Sequence, residues 1–480
     1  MINLKKNNIG FTKNENKNNS ILYLVKDLDE LVKIKLLKKD EISLFLKNFK
    51  RETERELSIL PNLKNNSLLA TAILIPSKVH RKSTIDKAAK IAQIIDNKIW
   101  NIHFSSSFSN EEIYDFLLGW GLSFYKFSIR NITTQMKYLN LNSIKNFPTK
   151  MINKCKNEIK GFFLARNLIN LPANYLNPEE YEKKILNIFF DKDIKTKVFK
   201  GTKFEKMFPL IHVVGRSSEF QPRLIEINWK YKSSSKIPTI IIIGKGITFD
   251  TGGLDLKPSF SMLQMKKDMA GSAIAISLAR TLISERFKIN LKLLLPIAEN
   301  AVSQKSMRPM DIVFSRNKTP IEIGNTDAEG RLILADALTY SQESKIKPNL
   351  IIDLATLTGA ARVALGTEMP AFFSNNKKIT EILLKNSFKS VDPLWELPLF
   401  SSYKRHLKNE NGTLSSTGFS GTGGAITAAL FLQNFLESNI NWIHLDLMGW
   451  NLQGRPGFPK GGEAMGFRAI LQTIQDFYNK

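Results

Sequence analysis

The run TIIIIG (239–244), which opens directly into KGITFDTGG, constrains the fold more than any other stretch. Four consecutive isoleucines leave no polar face for solvent, so the strand they form must be covered on both sides, as parallel strands of α/β proteins are. RLIEINWK (223–230), LKLLLPIAE (291–299) and NLIIDLAT (349–356) have the same character, and LIHVVGR (210–216) reads as a further strand. Between them, AIAISLARTLIS (273–284) and the LILADAL run that follows Arg331 have helical length and composition. Strands alternating with helices predict an α/β fold with a mainly parallel central sheet covered by helices. Ligands of such sheets bind at the carboxyl ends of the strands.

At 480 residues the chain has room for a second domain. Residues 1–150 are expected to form a smaller N-terminal α/β domain, with a strand in SLLATAILIP (67–76) and a helix over TIDKAAKIAQIIDNKIW (84–100). A linking helix over 151–172 follows, and 173–480 form the larger domain. In NPEE, Asn177 is placed to cap a helix with Pro178 at its first position.

The formal net charge is +25, and residues 1–160 hold 28 basic against 15 acidic side chains. Such an excess raises binding to nucleic acid or an anionic surface, but no aromatic-and-basic platform or helix-turn-helix pattern accompanies it. A lysine- and asparagine-rich solvated surface is the favoured account, so nucleic acid is not the expected partner; an additional DNA-binding role through the basic N-terminal third is the alternative. No apolar run reaches the length of a membrane span. The N-terminus lacks the apolar core of a signal peptide, and the single cysteine, Cys155, fits a reducing compartment. A cytoplasmic location is expected.

Five histidines, none at zinc-protease spacing, mean that any metal site must be built mainly from carboxylates. GKGITFDTGG fails the spacing of both the Walker loop and the dinucleotide fingerprint. It does bring Lys245, Asp250, Asp255 and Lys257 to the end of a buried strand. Asp268, in MKKDM, reads either as a carboxylate at a helix N-terminus or, if Asp250 and Asp327 lie near it, as part of a site.

The stretch NTDAEGR (325–331) sets Asp327 and Glu329 two residues apart. Residues i and i+2 do not share a helix face, so the two converge only from an irregular turn, which Gly330 is expected to permit. Uncompensated carboxylates at about 4 Å repel by roughly 4 kcal/mol per pair at an effective dielectric near 20. If Asp250, Asp268, Asp327 and Glu329 meet, a cation must sit among them, and four carboxylates suffice for two bridged metal ions.

GKGITFDTGGLDLKP (244–258), MKKDM (265–269), PIAEN (296–300), RPMDIV (308–313), NTDAEGRLILADAL (325–338) and DLATLTGA (353–360) together resemble the leucyl (cytosol) aminopeptidases of the M17 metallopeptidase family. The resemblance covers about residues 160–480. It implies an enzyme that hydrolyses the N-terminal residue from peptides, with leucine and other apolar residues favoured, and makes 173–480 the catalytic domain. Two divalent metal ions per subunit follow, zinc or manganese with magnesium as an alternative. Lys245, Asp250, Asp268 and Glu329 would hold one, and Asp250, Asp327 and Glu329 the other. Lys257 is implied to stabilise the oxyanion, and Arg331 to hold a catalytic bicarbonate. Met265, Thr356, Leu357, Gly359 and Ala360 are implied to line the side-chain pocket. Peptides are the implied partners and a homohexamer the implied assembly. Asp255 has no role in that set. Lys267 departs from the family, which usually carries an aromatic residue there.

Overall fold

The computed structural model describes residues 8–13, 20–26, 59–61, 70–74, 81–95, 97–129, 137–231, 237–344, 347–418 and 421–478. Much of the lysine- and asparagine-rich start, and both flanks of the strand expected at 67–76, lie outside them. The chain divides into two compact units, residues 3–160 with 453–459 and residues 161–452 with 460–480.

The smaller unit holds a six-stranded sheet in the order Phe11–Thr12, Tyr138–Asn140, Ile99–Phe104, Ser20–Val25, Ala70–Leu74, Ile59–Pro61. Every pairing is parallel except the last. Its Asn110–Leu122 helix starts at a reciprocal cap: Ser109 Oγ accepts from Glu112 N, and Glu112 Oε2 accepts from Ser109 N at 2.8 Å. A cap of this kind stabilises by about 1 kcal/mol. The helix expected over 84–100 ends instead at Ile94, and Ile99 and Trp100 join the sheet opposite Tyr138 and Leu139. Sheet pairing of this apolar pair wins over helical continuation.

The larger unit is built on a mixed sheet in the order Trp395–Glu396, Ala371–Ser374, Trp442–Asp446, Leu350–Ala355, Thr239–Gly244, Asn290–Asn300, Arg223–Lys230, Ile194–Phe199. The four strands from Trp442–Asp446 to Asn290–Asn300 are parallel, and the short Gly246–Asp250 strand also pairs parallel to Asn290–Asn300. Antiparallel neighbours flank this centre. Ile240 to Ile243 are at most 1% exposed, as a strand covered on both faces requires. Each such burial contributes roughly 2 kcal/mol before conformational entropy is subtracted.

LIHVVGR departs from expectation: Pro209–Gly215 is a helix. Pro209 occupies its first position, and the side chain of Asp336 caps it by accepting from Leu210 N at 2.8 Å. The same carboxylate accepts from Arg316 N at 2.9 Å. A capping group 126 residues away in sequence converts an apolar run of strand-like composition into a helix. Asn177, by contrast, caps Pro178–Ile188 as its local sequence predicts, accepting from Glu179 N and Glu180 N.

His444 serves the core. Its Nδ1 lies 2.5 Å from Asp353 Oδ1, while Asp353 Oδ2 accepts from Trp442 Nε1 at 2.6 Å, and all three residues are fully buried. This pairing ties the Leu350–Ala355 strand to its neighbour.

Candidate active site

The parallel strands deliver the site at their carboxyl ends. Lys245 follows the Thr239–Gly244 strand, Thr356 follows Leu350–Ala355, and Asp250 closes Gly246–Asp250 opposite Asn300 of the adjacent strand. Lys245 is locked into the backbone: its N–H donates to Leu354 O at 3.0 Å, and its own carbonyl accepts from Ser272 N at 2.9 Å. Beyond Asp250 the chain turns through Gly252, at φ +89°, where a Cβ would lie 2.4 Å from Asp255 O.

Asp327 and Glu329 converge by a helix transition. Thr326–Ala328 is a single 3-10 turn and the α-helix Glu329–Ser341 continues from it, so the change of winding brings the two side chains together. Asn325 Oδ1 opens the turn by accepting from Asp327 N at 2.6 Å. Gly330 is not the turn residue it was expected to be. It lies inside the helix, and a Cβ there would fall 2.6 Å from Lys245 Nζ. Its requirement is for space.

Asp255 positions the turn. Its carboxylate accepts from Thr326 N at 2.7 Å, and its own N–H donates to Thr326 Oγ1 at 2.8 Å. Thr326 Oγ1 also donates to Gly252 O at 2.6 Å. The two loops that carry Asp250 and Asp327 are thereby pinned to one another.

At the centre, Lys245 Nζ lies 2.8 Å from both Asp268 Oδ2 and Glu329 Oε1, and donates to Thr356 O at 2.9 Å. Lys257 Nζ lies 2.9 Å from Asp250 Oδ2 and contacts Asp327 Oδ1. Asp250 accepts from Gly252 N and Asn300 Nδ2, and Asp268 from Thr356 Oγ1 at 2.7 Å. Asn300 and the second role of Thr356 were not drawn from the sequence; PIAEN and DLATLTGA contain them, but nothing in either run announces a side chain aimed at another loop.

Electrostatics follow from this crowding. Burial, together with the neighbouring Asp250 charge, pushes Asp327 up to about 6 and Glu329 up to about 8. Burial raises Asp268 as well. For Asp250 burial is outweighed by Lys257 and Lys245, and it is held below the ordinary carboxylate range. Burial of Lys245 is likewise outweighed, by Asp268, Glu329 and Asp250, so it is held above its ordinary value. Burial takes Lys267 down to about 8 and Arg331 to about 10.

The donor set fits a divalent cation. One carboxylate oxygen each from Asp250, Asp327 and Glu329 lies within 4.8 Å of the others. Glu329 Oε2 is buried and has no hydrogen-bond partner. An ionised oxygen left unpaired in the interior is costly, and a cation at this point removes that cost. Asp268 stands outside the three-residue group and joins it through Lys245.

A cavity of about 90 Å³ opens on these groups. Of the expected pocket residues, Met265, Thr356, Leu357 and Gly359 line it, while Ala360 does not and packs against the apolar core instead. Lys267, Thr358, Arg362 and Leu447 complete its wall. Asp446 supports that wall from behind, accepting from Leu357 N, Thr358 N and Thr358 Oγ1. Arg331 is not on the cavity: its Nη1 donates to Ser416 O at 2.7 Å, and its buried Nε has no partner.

Comparison with known proteins agrees with the geometry. The model of the cytosol aminopeptidase family, catalytic domain, matches residues 163–471. A probable cytosol aminopeptidase of Ehrlichia ruminantium (strain Gardel) is 39% identical over 343 residues, 70% of this chain and 68% of that protein. One from Prochlorococcus marinus subsp. pastoris is 36% identical over 410 residues, 83% and 80% of the two chains. The crystal structure of the cytosol aminopeptidase from Coxiella burnetii superposes with a TM-score of 0.86 at 34% identity, covering 98% of this chain and 99% of the other. The bottromycin maturation enzyme BotP, solved in complex with Mn, shares the fold at 23% identity and a TM-score of 0.84. On this evidence the chain belongs to the cytosol aminopeptidase family, M17, and is an aminopeptidase of that metal-dependent class.

Proposed function

We propose that the protein removes the N-terminal residue of peptides at a two-metal centre held by Lys245, Asp250, Asp268, Asp327 and Glu329. The observation that carries this reading is the buried convergence of Asp250, Asp327 and Glu329, with Glu329 Oε2 left without a partner. Lys245, Asp250, Asp268 and Glu329 would hold one ion, and Asp250, Asp327 and Glu329 the other, as zinc or manganese, or magnesium in their place. When bound, the ions would supply Lewis-acid polarisation of the scissile carbonyl and activation of water.

The chain's own groups do the rest. Asp268 receives the free α-amine of the peptide, which restricts cleavage to the first residue. Lys257, already within 2.9 Å of Asp250, places an ammonium where negative charge develops on the carbonyl oxygen. Arg331, whose buried Nε has no partner, would hold a small anion such as bicarbonate that carries the proton to the leaving amine. Met265, Leu357 and Leu447 offer apolar contact to the side chain of the departing residue, which favours leucine and its like.

In this reading residues 173–480 are the catalytic domain, 151–172 the linking helix and 1–150 an accessory domain. The enzyme works in the cytoplasm as a homohexamer. No described helix is long and apolar enough to cross a membrane. Release of leucine from Leu-Gly or leucyl-p-nitroanilide, followed with added Mn²⁺ or Zn²⁺ and again after chelation, tests the assignment. Metal-restored, chelator-abolished turnover is expected; turnover indifferent to chelation would refute it.

A further inference from the structure

The cavity wall holds four cations and four carboxylates, and the pairing among them is uneven. Lys245 engages Asp268 and Glu329, and Lys257 engages Asp250 and Asp327. Two further cations, Lys267 and Arg362, line the same cavity. Among the described residues neither has an ion pair, and Arg362 Nη1 donates to Met448 Sδ at 3.2 Å.

Lys267 is only 3% exposed, in the 3-10 turn Met265–Lys267 that also delivers Met265 to the wall. A buried ammonium without an ion pair of its own is unfavourable, and a ligand that brings a carboxylate to it relieves the cost. The rest of the side-chain wall is neutral: Met265, Leu357 and Leu447 are apolar, and Thr358 is engaged by Asp446. Three apolar side chains beside two cations that have no ion pair suit a short methylene chain that ends in a carboxylate. Resting on the aminopeptidase reading above, we infer that Lys267, supported by Arg362, makes this pocket select an N-terminal glutamate or aspartate over its neutral isostere, alongside the apolar residues it accepts. Lys267 acts here on specificity, by contact with the substrate side chain.

The test compares kcat/KM for Glu-Gly, Gln-Gly and Leu-Gly with the Mn²⁺-loaded enzyme, and inhibition by free L-glutamate and L-glutamine. Glutamate and glutamine differ in charge at nearly constant shape. The wild type is expected to favour Glu-Gly over Gln-Gly by about tenfold or more, and to bind glutamate more tightly than glutamine. Lys267→Met should bring both ratios near or below one, whereas Lys267→Arg, which keeps the charge, should leave them above one. Should Lys267→Met lose all turnover, the inhibition ratio of the wild type and the arginine variant decide. A wild-type Glu/Gln ratio of one or less, or an unaltered ratio in Lys267→Met, overturns the inference. Cleavage of Leu-Gly and Gln-Gly without glutamate preference removes this inference alone; no cleavage of any of the three removes the aminopeptidase reading beneath it.

Discussion

Gly330 and Lys245 occupy mutually exclusive space: a Cβ on the glycine would lie 2.6 Å from the lysine Nζ and Cε. Glu329 begins the helix beside this contact, so the approach of helix to strand end sets the 2.8 Å separation of Lys245 and Glu329. Gly330→Ala must push Lys245 away or tilt the helix. A displacement of about 1 Å at a catalytic site costs on the order of 10²-fold in rate. Gly330→Ala is therefore expected to keep its circular dichroism spectrum and lose at least that much of kcat/KM for Leu-Gly; near-wild-type kinetics would show that Lys245 can move without consequence.

Glu329→Gln keeps the shape of the side chain and removes the charge whose second oxygen has no protein partner. Metal affinity, read by calorimetric titration of the chelator-treated protein with Mn²⁺, is expected to fall by about 10²-fold or more, since an ionised ligand is replaced by a neutral one. An unchanged isotherm would remove Glu329 from the ligand set.

Glu329 at about 8 and Asp327 at about 6 give metal binding a definite pH dependence. Both carboxyls are raised, so the metal-free site holds a proton on Glu329 below pH about 8 and a second on Asp327 below about 6. A cation must displace these protons, so affinity rises with pH and is lost as pH falls. Between pH 8 and 6 the apparent Kd for Mn²⁺ should weaken by at least about tenfold per pH unit, since Glu329 and the Lys245 ligand must each give up a proton. The same titration in two buffers of different ionisation enthalpy counts the protons, and a Kd constant over that range would contradict the sign.

Asp353 joins His444 and Trp442 in the core, with both of its oxygens used and no exposure to water. Asp353→Ala leaves two buried donors unsatisfied and is expected to destabilise the protein by about 3 kcal/mol or more. Urea unfolding followed by tryptophan fluorescence measures it; a loss under about 1 kcal/mol would mean that the pair is replaced by packing.

Legibility in the sequence followed the range of the interactions. Ile240 to Ile243 announced their strand because burial on both faces needs no partner to be specified, and Asn177 announced a helix start because its cap is local. LIHVVGR was misread because its cap comes from Asp336, and Trp100 because it pairs with Leu139 across the sheet. At the site, the acidic and basic residues were visible as types, and resemblance singled them out. Their supports were hidden: Asn300 on Asp250, Asp255 on Thr326, and Asp446 behind Leu357 and Thr358 act across gaps of 50, 71 and 89 residues that spacing does not encode. Gly330 was noticed for the wrong reason, since a glycine forced by a neighbour's volume and a glycine forced by φ look alike in one sequence.

Anomalous diffraction from a crystal of the full chain soaked in Mn²⁺ addresses the central claim most directly. The account predicts two peaks in the cavity, one bounded by Lys245, Asp250, Asp268 and Glu329 and the other by Asp250, Asp327 and Glu329, with Lys257 drawn back from Asp327. A single peak, or peaks that leave Asp250 and Glu329 unshared, would contradict it.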